Sequence, residues 1–133
     1  MAVTQAEVAQ LYVALFNRAP EGAGFKAWIS FGHNKTQAEI AQLMLESPAA
    51  IDYYGGRIDQ DKDYIELIYK NILGKDYTQD PDGINAWVKH LQLGHSRGET
   101  LVKIFEVAQS AAAKAADPVA AKIFENKTAI LAY

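Results

Sequence analysis

The chain has 133 residues, 50% of them hydrophobic, 22% charged and 11% aromatic, which suits one folded domain and excludes an intrinsically disordered chain. Its 13 basic and 16 acidic residues give a net charge of −3, a field that disfavours nucleic acid and anionic lipid as partners. With no cysteine, disulfides, thiolate zinc sites and a cysteine nucleophile are excluded.

The first stretch, MAVTQAEVAQLY, lacks the basic start and apolar core of a signal peptide. It carries a capping box instead, Thr4 with Glu7, followed by Val8, Leu11, Tyr12, Leu15 and Phe16 on one helical stripe. A second helix is predicted after Pro20, with Gly24, Phe25, Ala27, Trp28 and Ile29, and with Gly32 as its stop. A third follows the box Thr36 with Glu39 and buries Ile40, Leu43 and Met44. Ser47 and Pro48 open a fourth.

The same order then recurs. Ile65, Ile68, Tyr69, Ile72 and Leu73 repeat the first stripe 57 residues on. Gly83, Ile84, Ala86, Trp87 and Val88 follow Pro81 and repeat the second helix, with Gly94 as its stop. Leu101, Ile104 and Phe105 follow the box Ser96 with Glu99, and Asp117 with Pro118 opens an eighth helix. Widening offsets imply loop insertions and a longer third helix in the second copy. The expected fold class is therefore all-α: eight helices in two tandem four-helix repeats sharing one core. Residues 1–133 form one domain, with repeat one at about 4–56, a connection at about 55–63 and repeat two at about 62–133.

The paired Gly-x-x-x-Trp units, Gly24 with Trp28 and Gly83 with Trp87, read first as structure, since apolar neighbours flank each Trp at i−3 and i+1. Stacking of an exposed Trp on a sugar ring is the competing reading. Asp76, Thr78, Asp80 and Asp82 alternate as oxygen ligands do in calcium loops, but the EF-hand register fails. Asp80 and Asp82 remain weak calcium candidates beside the simpler reading of turn capping, with Asp82 as the helix cap. No metal site is assigned, and no cofactor is expected apart from this calcium option. His33, His90 and His95 lack i, i+4 ligand spacing and read as polar loop residues. No nucleophile elbow, phosphate-cradling loop or H-E-x-x-H motif occurs, so a non-enzyme is expected, with no catalytic residues.

Leu11-Tyr12, Arg18, Pro20, Gly24 to Trp28, Gly32 and MLESPAA, repeated with Tyr69, DPDGINAW, LGHSRGE and Ser110, resemble a bacterial domain family of unknown function in surface-layer and type I secreted repeat-rich proteins. APEGAGFKAW, MLESPAAIDYYGG, DPDGINAW and IFENKTAILAY are similar to the N-terminal anchoring region of Gram-negative S-layer proteins. The resemblance covers nearly the whole chain. It implies a non-enzymatic module that binds lipopolysaccharide or other surface polysaccharide, exported by type I secretion without an N-terminal signal peptide to the extracellular cell surface. The chain would then be the N-terminal part of a longer parent. Other S-layer subunits are possible partners; nucleic acid and membrane insertion are not expected.

Candidate polysaccharide contacts are the loops after each Trp helix, His33, Asn34, Lys35 and His95, Ser96, Arg97, together with Tyr53 and Tyr54. The alternative is a structural protein–protein module in a surface lattice or secreted adhesin. An intracellular helical scaffold is a third reading, which takes the missing signal peptide at face value.

Overall fold

The structure is a computed structural model that describes residues 3–17, 22–56, 58–110, 118, 119 and 122. Among these residues it is all-helical, without strands. The helices are α1 (Gln5–Phe16), α2 (Gly22–Phe31), α3 (Gln37–Leu45), α4 (Pro48–Tyr54), α5 (Asp61–Leu73), α6 (Pro81–Gln92) and α7 (Arg97–Gln109). Pro20 and Asp117 lie outside the described residues; of the eighth helix expected from Asp117, the described positions Pro118, Val119 and Lys122 are helical.

Capping chemistry starts the helices where the sequence predicts. Thr4 and Thr36 each form a complete box, with Glu7 and Glu39, and Ser47 caps α4 ahead of Pro48. At α7 only half of the box forms: the Ser96 hydroxyl accepts from the Glu99 N–H, while the Glu99 carboxylate stands 3.6 Å from His95 Nδ1. The cap of α6 is Asp80 rather than Asp82. Its Oδ1 accepts from the Gly83 N–H at 3.1 Å, and Pro81 takes the first helical position. α7 has 13 residues against 9 in α3.

The core lies between α1 and α5 and between α3 and α7. α1 is buried on nearly every side, since Ala9, Val13 and Ala14 join Val8, Leu11, Tyr12 and Leu15 inside. It is the central helix. Small residues allow this closeness, and Asn71 on α5 donates from Nδ2 to the Ala14 carbonyl at 2.8 Å. Those two residues are 57 apart, the offset that relates the first stripes. Ile40, Met44, Leu101, Ile104 and Phe105 close the other half of the core.

The α3 and α7 helices meet near their N-terminal ends. A Cβ at Gly98 would overlap the Ala38 carbonyl oxygen and stand 3.1 Å from the Gln42 nitrogen, so only glycine admits this approach. The Gly98 N–H donates to Gln42 Oε1 at 3.1 Å. Gly94 is a true stop, with φ of 104°, whereas after α2 the chain continues through a 3-10 turn at Gly32–Asn34. Gly32 serves there as a close approach to Val3 and Ile40.

Candidate functional site

Beside α5 lies an open groove of about 770 Å³, inside the range of ordinary ligand sites, roughly 300–1,000 Å³. One wall is the outward stripe of α5, Asp63, Glu66, Leu67 and Lys70, spaced i, i+3, i+4 and i+7. A second wall is the loop from Gly74 to Gln79, of which all but Thr78 line the groove, and Tyr54 and Ile58 complete the lining.

Local chemistry holds the loop wall still. Gly74 ends α5 in the left-handed region, and the Asp76 carboxylate then accepts from the Thr78 hydroxyl and, at 3.2 Å, from the Gln79 N–H. Gln79 answers with Oε1, which accepts from the Asp76 N–H at 2.8 Å. The Thr78 hydroxyl holds the Asp76 carboxyl below its usual range, so it stays ionised. Tyr77 is fixed from outside by Asn85, whose Nδ2 donates to its hydroxyl at 2.9 Å, and by the Lys62 ammonium 3.9 Å from its ring centre.

Sequence reasoning missed this groove. Its residues read one at a time as a solvated helix face and an acidic turn, and only the fold brings Tyr54 and Ile58 across from them. The one available signal was Asp63, Glu66 and Lys70 sharing a helix face with Leu67.

The predicted contacts occupy three different surroundings. Tyr54 is buried and its hydroxyl donates to the Leu15 carbonyl; only part of it reaches the groove. Arg97 donates to the Ile58 and Asp59 carbonyls at 2.9 and 3.0 Å and to Asp61 at 3.3 Å, and lies 4.9 Å over the Tyr64 ring. With Ser96 engaged as the α7 cap, these two residues pin the α4–α5 connection to α7. His33, Asn34 and His95 are exposed, Lys35 sits 4.7 Å from the Phe31 ring centre, and Tyr53 is 43% exposed beside Phe16. The structure does not gather these residues into one site.

The tryptophans are half-buried against the core. Trp87 donates to the Tyr69 hydroxyl, which donates in turn to Asp80; burial first, and then the Asp80 charge, pushes the Tyr69 hydroxyl up to about 12. A Cβ at Gly83 would stand 2.7 Å from that hydroxyl and overlap the Asp80 carboxylate. The glycine four residues before the Trp therefore makes room for a tyrosine. At Gly24 the neighbour is also a tyrosine hydroxyl, that of Tyr12, but a Cβ there would stand 3.6 Å from it, an ordinary contact. Asp80 is thus occupied, Asp82 is exposed, and among the described residues no cluster of three His, Asp or Glu side chains could hold a metal.

His90 and His95 come together despite Gly94 between them. Their rings stack with centres 3.8 Å apart and planes 4° from parallel, and Trp87 meets His90 edge-on at 5.6 Å. Burial first, then the charges of His95 and Lys103, lower the His90 pKa against the opposing pull of Glu99. A histidine with a lowered folded pKa makes no contribution above its ordinary 6.5 and penalises folding as pH falls below it. The melting midpoint is expected to drop as pH falls from 7 to 5, and His95→Asn, which removes the stacked ring, should flatten that slope.

The fold and the groove define a small helical domain with an open surface groove of mixed polarity. The chain belongs to the family described as Domain of unknown function (DUF4214), whose model matches residues 41–114. That span runs from α3 to past the end of α7 and contains every residue of the groove. No curated protein and no solved structure gives a significant match. Among the described residues, no helix is long and apolar enough to cross a membrane.

Proposed function

We propose that the chain is a non-enzymatic cell-surface anchoring module of an S-layer or S-layer-like secreted protein, holding lipopolysaccharide or another surface polysaccharide. The observation that carries this reading is the groove. It offers apolar surface from Leu67, Ile58 and the Tyr77 ring, rimmed by carboxylates, ammonium groups and the Gln79 amide. A sugar ring has the matching surface, with an apolar C–H face and hydroxyls that both donate and accept around its edge. Support also comes from the motif resemblance across both halves of the chain, and duplication of one four-helix unit accounts for Ala14 meeting Asn71 at the repeat offset.

A shallow, open groove binds without enclosing its ligand, as an anchor to a long polymer requires. Cosedimentation with cells that bear or lack surface polysaccharide tests the reading. The protein is expected to pellet with the first and stay in solution with the second; equal pelleting with both rejects it.

A second reading has one observation in its favour. Ile51 and Tyr53 on α4 are 61% and 43% exposed, an apolar face suited to protein contact in a lattice. It requires concentration-dependent assembly by sedimentation.

A further inference from the structure

The groove contains an unusual set of charges. Glu66 and Lys70 stand at i, i+4 on α5, the spacing that ordinarily forms an ion pair, yet neither they nor Asp63 make one among the described residues. Among the described residues no ion pair competes with a ligand for their charged ends. Asp61, two residues before Asp63, is by contrast tied to Arg97 at 3.3 Å and lies outside the groove.

The lining holds three carboxylates, Asp63, Glu66 and Asp76, against two ammonium groups, Lys70 and Lys75. Two further cations touch lining residues, Lys62 on the Tyr77 ring and Arg97 on the Ile58 carbonyl, and neither is part of the lining. We infer that the groove selects sugar units that are uncharged or carry an amino group, and rejects units bearing phosphate or carboxylate. This rests on the polysaccharide reading above and names the chemical class of its ligand.

The reason is directional as well as electrostatic. An ionised carboxylate is acceptor-only, so Asp63 and Glu66 can bind hydroxyl or ammonium donors and have nothing to offer a phosphate oxygen. An anionic sugar would have to place its charge against Lys70 or Lys75 while lying within reach of the carboxylates, where like charges repel. A neutral hexose meets no such conflict. Its hydroxyls can donate to Glu66 and Asp63, accept from Lys70 and the Gln79 amide, and leave a C–H face for Leu67 and Tyr77.

The probe is the set of oligosaccharides released by mild acid from the outer-membrane polysaccharide of the producing cells, divided by anion exchange into unretained and retained fractions. Titration into the ¹⁵N-labelled chain is expected to shift the amides of Glu66, Lys70, Tyr77 and Gln79 with the unretained fraction. The retained fraction should bind there roughly tenfold more weakly. The double variant D63N/E66Q, which keeps the shape of the lining, should lose that discrimination while melting like the parent.

Equal binding of the retained fraction at these amides overturns the inference, as does unchanged discrimination in the double variant. Shifts confined to Asn34, Lys35 or His95 would move the site out of the groove but leave the polysaccharide reading intact. No shift with either fraction would remove that reading, and the inference with it.

Discussion

Replacing Gly98 with alanine is expected to lower the unfolding free energy by about 3 kcal/mol, the upper end of ordinary overpacking costs. The new methyl group would overlap the Ala38 carbonyl oxygen, a backbone atom that cannot rotate away as a side chain could. α3 and α7 would have to separate, loosening Ile40, Met44, Leu101 and Phe105 together and breaking the Gly98 N–H bond to Gln42. Gly24→Ala is the control. Its methyl group would meet only the Tyr12 hydroxyl at 3.6 Å, an ordinary contact, and alanine favours the helix by about 0.5–1 kcal/mol. Denaturant midpoints measure both, and a near-neutral Gly98→Ala would mean that the two helices do not meet this closely.

Leu11→Ala should cost about 4 kcal/mol by the same measurement, within the range of large-to-small changes at sites that cannot collapse. Leu11 is fully buried on a helix whose neighbours Val8, Ala9, Val13, Ala14 and Leu15 are all inside, so no solvent-facing side is free to relax into the cavity. Trp87→Ala should cost less, about 2 kcal/mol, despite removing more atoms, because the indole is only half-buried and part of its surface already meets water. If the order reversed, Trp87 would carry the packing role that the sequence pattern alone assigned to it.

Much of the fold was legible because its determinants are local. Thr4, Thr36, Ser47 and Ser96 mark helix starts by hydrogen-bonding within one turn, and the apolar stripes at Val8 and Ile65 follow helical periodicity. The misplaced cap at Asp82 was recoverable from the sequence, since a proline favours the first helical position and so points to the residue before it, Asp80. Other features depend on contacts between distant segments. Arg97 has the chemistry of an anion site, but carbonyls 38 and 39 residues away claim it. The His90–His95 stack requires the left-handed turn at Gly94 to fold one ring back on the other.

The candidate site was the least legible part for the same reason. Tyr77 and Gln79 stand in a turn, Glu66 and Lys70 on a helix face, and Ile58 in a connection, and each is ordinary where it is. A groove exists only because the end of α5 and its following loop rise beside the connection that Arg97 holds down. Acidic letters that suggest a calcium loop prove to be a self-contained turn, with Asp76 serving Thr78 and Gln79, and Asp80 serving Gly83.

The most direct test of the central claim, that polysaccharide is held in this groove, is a comparison of dissociation constants by calorimetry on purified surface polysaccharide. Glu66→Gln combined with Lys70→Ala removes groove contacts that carry no core packing, and Lys35→Ala removes the cation of the α2–α3 loop as a reference. The account predicts at least a tenfold weaker constant for the groove variant, no change for Lys35→Ala, and parental melting for both. An unchanged constant for the groove variant, or a loss confined to Lys35→Ala, would contradict it.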